Sequence, residues 1–177
     1  LARIDGDSSI GMVTSCKAMQ LAVDKARQCG MAYVGVFNSC HFGAAGYYAM
    51  AAAQQNMFAM AMANDCPSMT VAGARGRIIG NNPLALAVPG KNGRPVILDM
   101  ALSAVAGGKI MAAFKNGKKI PTDWLVDKHG NTTDDPGQFL PGGALLPMGG
   151  YKGYGLAVMV EALAGVLPGA AILGEVL

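Results

Sequence analysis

Apolar residues in this chain come in short runs divided by glycine-rich and polar turns, and the spacing within each run predicts an element. Across residues 16–28, Met19, Ala22, Val23 and Ala26 recur at helical spacing, predicting a helix with one buried face. Thr14 or Ser15 is its expected cap and Gly30 its stop. Residues 31–37 are apolar and partly β-branched, the pattern of a buried strand. Residues 42–55 are alanine-rich and predict a second helix. The run 57–63 reads as a strand parallel to the first, since a helix crosses between them. Residues 84–88 and 95–100 read as two strands, and the Asn92-Gly93 pair between them is a hairpin signal. The sheet is therefore expected to be mixed. A helix is predicted over 102–115, weakened by Gly107 and Gly108, and another over 153–167. Three stretches read as irregular: a turn at Asp5-Gly6-Asp7, an exposed loop over 71–82, and a surface excursion over 121–147 with four prolines.

Composition sharpens this outline. Hydrophobic residues make up 52% and charged residues 14%, with mean hydropathy +0.33. Such a chain can bury a large core and also surface against a partner subunit. Tyr47, Tyr48, Met50, Met57, Met60 and Met62 are expected in the core. The net charge of +3 is scattered, and the basic cluster Lys115, Lys118 and Lys119 is followed by four aspartates, so no nucleic-acid surface is expected. Cysteines 16, 29, 40 and 66 form no C-x-x-C pair; they read as reduced thiols of a cytoplasmic protein, mostly buried, with no metal site. The most apolar segment, 156–167, is too short to span a bilayer and carries Glu161, so no membrane role is expected. The abrupt Leu1 suggests a cut or processed N-terminus.

His41 is the first candidate for chemistry. It is one of two histidines, placed between a predicted strand end and a helix start, and imidazole moves protons readily near neutral pH. The competing readings are a structural histidine, or a base for the adjacent Cys40 thiol. No Gly-x-Gly-x-x-Gly follows the first strand, and no Walker-type lysine loop is present. Gly149-Gly150-Tyr151-Lys152-Gly153-Tyr154-Gly155 instead opens a helix, where free N–H groups, the helix dipole and Lys152 would suit a phosphate or carboxylate. A tight turn with a solvated lysine fits the same residues. Asp99 stands at a strand end, to face a ligand or cap a helix. The Asn81-Asn82-Pro83 amides serve either a turn or a ligand.

Four blocks carry a resemblance over essentially the whole chain: NSCHFGAAGYY (38–48), GNNPLALAVPG (80–90), VILDMALS (96–103) and LLPMGGYKGYGLAVMVEALAGVL (145–167). In order and spacing they resemble the type-2 malate/L-lactate dehydrogenase family. The resemblance implies an α/β, non-Rossmann NAD(P)-binding fold with a mixed, largely antiparallel sheet flanked by helices. It also implies homodimers and hydride transfer between a nicotinamide cofactor and a small 2-hydroxy/2-oxo acid. By the same resemblance His41 is the proton donor and acceptor, and Asp99, Met100, Ala101 and Lys152 bind cofactor. So does Asn82, within Gly80-Asn81-Asn82-Pro83, where the family usually has Gly-Thr-Asn-Pro. Asp65 replaces a serine that touches cofactor in the family; its charge suits a ribose hydroxyl and favours NAD, with NADP as the alternative. Gly107 stands where the family usually has arginine. Residues 1–177 are expected to be the central cofactor-binding domain of a longer oxidoreductase, flanked by an N-terminal helical region and a C-terminal segment. A cyclic-imine reductase of the piperideine-carboxylate type, or an inactive cofactor-binding fragment, are the rival readings.

Overall fold

Residues 1–71 and 73–176 are described by the computed structural model; Ala72, inside the predicted 71–82 loop, lies outside the described residues. They form a mixed α/β fold of helices and small sheets, divided into two units. The first unit takes in Leu1–Ala63, Leu84–Met100 and Ala162–Ala171. The second takes in Asn64–Pro83, Ala101–Glu161 and the residues from Ile172 on.

In the first unit the predicted N-terminal turn is a strand, β1 (Ala2–Ser9), paired in parallel with β2 (Val34–Ser39). The turn signal survives as an irregularity: Asp7 and Ser8 have φ of 49° and 52°, and the register shifts between Asp5 and Ser9. Between the strands runs α1 (Gly11–Cys29), which starts five residues before the predicted Cys16. Ile10, not Thr14 or Ser15, is its cap residue; Thr14 is buried and its hydroxyl meets that of Ser9 at 3.1 Å. Gly30 ends the helix with φ 85°, as expected from its lack of a Cβ.

Helix α2 (Ala45–Ala53) then leads to a separate antiparallel sheet of β3 (Ala59–Met62), β4 (Leu84–Val88) and β5 (Val96–Met100). The expected parallel pairing of the 31–37 and 57–63 runs is thus corrected. Helix α2 carries the chain out of one sheet and into another, so the mixed pairing is split between separate sheets. The predicted hairpin joins β4 to β5, with Asn92 and Gly93 both at positive φ. Strand register puts Ala59, Ala61, Ala85 and Ala87 on one face. Ala45, Ala49, Ala52 and Ala53 of α2 pack there, with Val23 of α1 in the same cluster. Small residues on both sides let helix and sheet approach closely. The opposite face carries Met60, Leu86, Val88, Val96, Leu98 and Met100. Met60 and Tyr47 are exposed, against the expectation that both are core, whereas Tyr48 is buried.

The second unit holds α3 (Gly107–Lys115), a short ladder of β6 (Leu125–Val126) with β7 (Ala144–Leu145), and α4 (Tyr151–Val160). Helix α3 starts only at Gly107 because residues 101–106 run irregularly, with Ser103 bridged to Pro147. The 121–147 segment is more than a surface excursion: all four ladder residues are buried, alongside Met69, Leu102 and Ile110. Arg77, expected in an exposed loop, donates to the carbonyls of Gly143 and Phe139 and lies over the Phe139 ring. The predicted 153–167 helix is α-helical only to Val160; Glu161–Val166 form a π-helical turn, with i→i+5 bonding continued by the Leu167 N–H to the Ala162 carbonyl.

Candidate functional site

In the first unit His41 is exposed on the turn between β2 and α2. Its neighbours hold the backbone. The Cys40 N–H donates to the Ser9 carbonyl at 3.3 Å, and the Tyr48 hydroxyl donates to the Phe42 carbonyl. Phe42 and Tyr48 stack with centroids 5.4 Å apart. Gly11, the first residue of α1, lies directly under the turn, where a Cβ would collide with the Cys40 and His41 carbonyls. An imidazole on a fixed backbone and open to solvent can exchange a proton with a bound substrate. Asp99, near the end of β5, accepts the Gly46 N–H of the first turn of α2 at 2.9 Å. It therefore caps a helix, although not the one that follows it in sequence. Gly46 has no room for a side chain, since a Cβ would come within 2.6 Å of the same carboxylate oxygen. The second Asp99 oxygen bonds no described residue and is free for a ligand. Met100 is half-buried and pairs with Leu84.

The second unit gathers four of the remaining candidates on one framework. The Leu102 N–H donates to the Asn81 carbonyl at 2.8 Å, and the Leu102 carbonyl accepts from Met148 at 2.9 Å. A Cβ on Gly153 would stand 2.9 Å from that same carbonyl, so only glycine lets α4 reach the Ala101–Leu102 backbone. Asn82 is fully buried with φ 38°, and its amide is engaged on both sides. Its Oδ1 accepts the Asp65 N–H at 3.0 Å, while Nδ2 donates to the Ala157 carbonyl and to Glu161. Asn82 thus bears on Asp65 from behind. Asp65 turns its Oδ1 to the Cys66 N–H at 2.8 Å. The protein around the Cys66 sulfur, and then the Asp65 charge, push that thiol up.

Lys152 lies exposed in the first turn of α4, with no ion pair among the described residues. Gly149 and Gly150 adopt φ of 60° and 64° to open that turn. The Gly153 N–H bonds back to Met148, and among the described residues the Tyr151 and Lys152 N–H groups donate to no backbone carbonyl. A cavity of about 300 Å³ adjoins this turn, lined by Gly149, Gly150, Pro147, Leu146, Ala104 and Asp123. Free N–H groups and an ammonium suit an anion, and the Asp123 carboxylate suits a hydroxyl donor. Asp123 and Glu161 were missed as site residues by sequence reasoning. Asp123 looked like part of a solvated charge run, and Glu161 like a stray charge in an apolar helix.

The four cysteines, expected to be mostly buried, are all exposed: Cys16 and Cys29 on α1, Cys40 and Cys66 in turns. Among the described residues no group of three His, Cys, Asp or Glu is arranged to hold a metal, and no helix is long and apolar enough to cross a membrane.

Comparison with known proteins extends these observations. The family model for malate/L-lactate dehydrogenase matches residues 1–177. A malate dehydrogenase of Pyrococcus abyssi is 44% identical over 175 residues, which cover 95% of this chain and 48% of that protein. The crystal structure of malate dehydrogenase from Entamoeba histolytica superposes with a TM-score of 0.92 at 32% identity, covering 97% of this chain and 51% of that one. Delta1-piperideine-2-carboxylate reductase from Pseudomonas syringae superposes with a TM-score of 0.91 at 36% identity, covering 96% and 51%. The chain spans about half the length of the curated relatives it matches. On the family match and these identities, the chain belongs to the malate/L-lactate dehydrogenase family.

Proposed function

We propose that this chain is the cofactor-binding part of a cytoplasmic, homodimeric oxidoreductase that interconverts a small 2-hydroxy acid and its 2-oxo acid, using NAD, with NADP as the alternative, in a fold other than Rossmann. The observation that carries the reading is the start of α4, where Gly149, Gly150 and Asp123 line a cavity and Lys152 follows, exposed, in the first turn of the helix. A dinucleotide offers both partners this donor set wants, an anionic pyrophosphate and ribose hydroxyls. When bound, the nicotinamide supplies or accepts the hydride. The chain's own residues do the rest. Lys152 and the α4 N-terminus hold the anion, Asp65 and the free Asp99 oxygen accept from hydroxyl or amide groups, and Met100 and Ala101 line the nicotinamide. His41 takes the substrate hydroxyl proton on oxidation and returns it on reduction. The apolar outer face of β3–β5 supports the homodimer.

An NADH titration of the chain, read by energy transfer from its one tryptophan, Trp124, tests this reading. Trp124 adjoins Asp123 in sequence, so it reports on the cavity. The expected result is saturable binding that weakens about tenfold or more in Lys152→Ala, the scale of one lost charge-assisted contact. His41→Ala should spare that binding and lower turnover by roughly a hundredfold to ten-thousandfold. No NADH binding, or equal loss of binding and turnover in His41→Ala, overturns it. A second reading, reduction of a cyclic imine, draws on the close superposition with the piperideine-carboxylate reductase. Offering the imine and 2-oxo acids side by side decides between them.

A further inference from the structure

Glu161, the first residue of the π-helical turn, is a buried carboxylate on which three N–H donors from three separate segments converge. Its Oε1 accepts the Asn64 side-chain amide at 3.1 Å and the Leu173 backbone N–H at 2.8 Å. Its Oε2 accepts the Asn82 side-chain amide at 2.8 Å. The residue is 6% exposed, and no Lys, Arg or His pairs with it among the described residues. A carboxylate removed from water without a cation is costly unless donors reach its oxygens, and here three donors do, with both oxygens engaged. The set also needs two acceptor oxygens. A side-chain amide at 161 would turn an NH₂ group towards one of the incoming donors and leave it unmatched.

The convergence reaches a candidate binding residue through one intermediate. Asn82 takes its orientation from Glu161 and the Ala157 carbonyl, and its Oδ1 then receives the Asp65 N–H. Gly80 closes the arrangement, because a Cβ there would collide with both Asn82 Oδ1 and the Asp65 carbonyl. The 64–65 peptide is held through a two-step relay that begins on the far helix, 79 residues beyond Asn82. We propose that Glu161 is a positioning residue: through Asn82 it fixes the Asp65 peptide, and so the carboxylate that Asp65 offers to the cofactor. This rests on the reading of Asp65 given under Proposed function.

The test combines amide hydrogen exchange at Asp65, followed by NMR, with the Trp124-detected NADH titration. Glu161→Gln, judged folded by unchanged exchange in α2, should speed exchange at Asp65 about tenfold or more and weaken NADH about tenfold. Asn82→Asp should do the same by setting two carboxylates face to face. The double substitution Glu161→Gln with Asn82→Asp restores a donor opposite an acceptor between positions 161 and 82. It should recover part of both losses, which a general loss of packing would not do. If Glu161→Gln fails to fold, Glu161→Asp keeps both acceptor oxygens on a stem one methylene shorter and should show the same losses in smaller measure. Unchanged Asp65 exchange in a folded variant overturns the proposal. So does faster exchange with unchanged NADH affinity, or a double variant no better than the single ones. A wild-type chain that binds no NADH overturns the proposed function and the cofactor part of this proposal together; Asp65 exchange in the variants then still decides whether Glu161 holds that peptide.

Discussion

At the scale of single residues, this fold places glycines and buried polar groups where backbones meet. Gly11 is the sharpest case, because the carbonyls of Cys40 and His41 occupy the space a side chain would take. Gly11→Ala should therefore destabilise the protein by about 1–3 kcal/mol, the usual range for forced overpacking. A thermal melt that does not move would show that the turn yields at no cost. If His41 moves the proton as proposed, the same substitution should also lower turnover, since displacing the turn displaces His41. The placement of His41 on a turn between strand and helix was legible in the sequence, because that turn is local: a short apolar run, a polar break, then alanines. Glu161 was not. Its meaning depends on Asn64 and Asn82, 97 and 79 residues away, and no local pattern brings those together. Asn82 was legible as an amide serving either a turn or a ligand, and the structure shows that amide bonded to Asp65, Ala157 and Glu161.

Elements divide in the same way. The β4–β5 hairpin and the Gly30 stop were readable because turn chemistry is local. Strand β1 was missed because Asp5-Gly6-Asp7 reads as a turn, and only pairing with β2 makes the flanking residues a strand. The ladder of β6 and β7 was hidden by the prolines and aspartates between its strands. Those aspartates have measurable consequences. Asn131 and then His129 give backbone N–H bonds that hold the Asp127 carboxyl below its usual range. The Gln138 side chain and the Gly137 N–H do the same for Asp135. A carboxyl whose value is lowered on folding adds stability above its unfolded value of about 3.9, and that stability is lost as pH falls through the folded value. The 121–147 segment should thus loosen on acidification below about pH 4. Carboxyl-carbon NMR should show both groups titrating below the ordinary aspartate value of about 3.9, and Asp127→Asn should flatten part of the acid-side loss. Titration of Asp127 at the ordinary value would refute the assignment.

At the scale of the whole molecule, the outer face of β3–β5 stands out: Val96 is 67% exposed and Leu98 48%, on an edge strand. Apolar side chains beside unpaired strand groups invite association. If the proposed homodimer forms through this face, Leu98→Lys should shift the chain towards monomer in sedimentation at matched concentration while leaving its melt nearly unchanged; an unchanged distribution would overturn that placement of the dimer. The membership of the two units, finally, bears on how the protein is made. The chain passes from one unit to the other five times, and the first unit draws on Leu1–Ala63, Leu84–Met100 and Ala162–Ala171. Neither unit can be cut out as one continuous stretch of gene, and a ribosome delivering roughly 5–20 residues per second completes neither until the last tenth of this sequence has emerged. The 1–63 segment must wait, with the apolar side of α2 uncovered, for strands made seconds later.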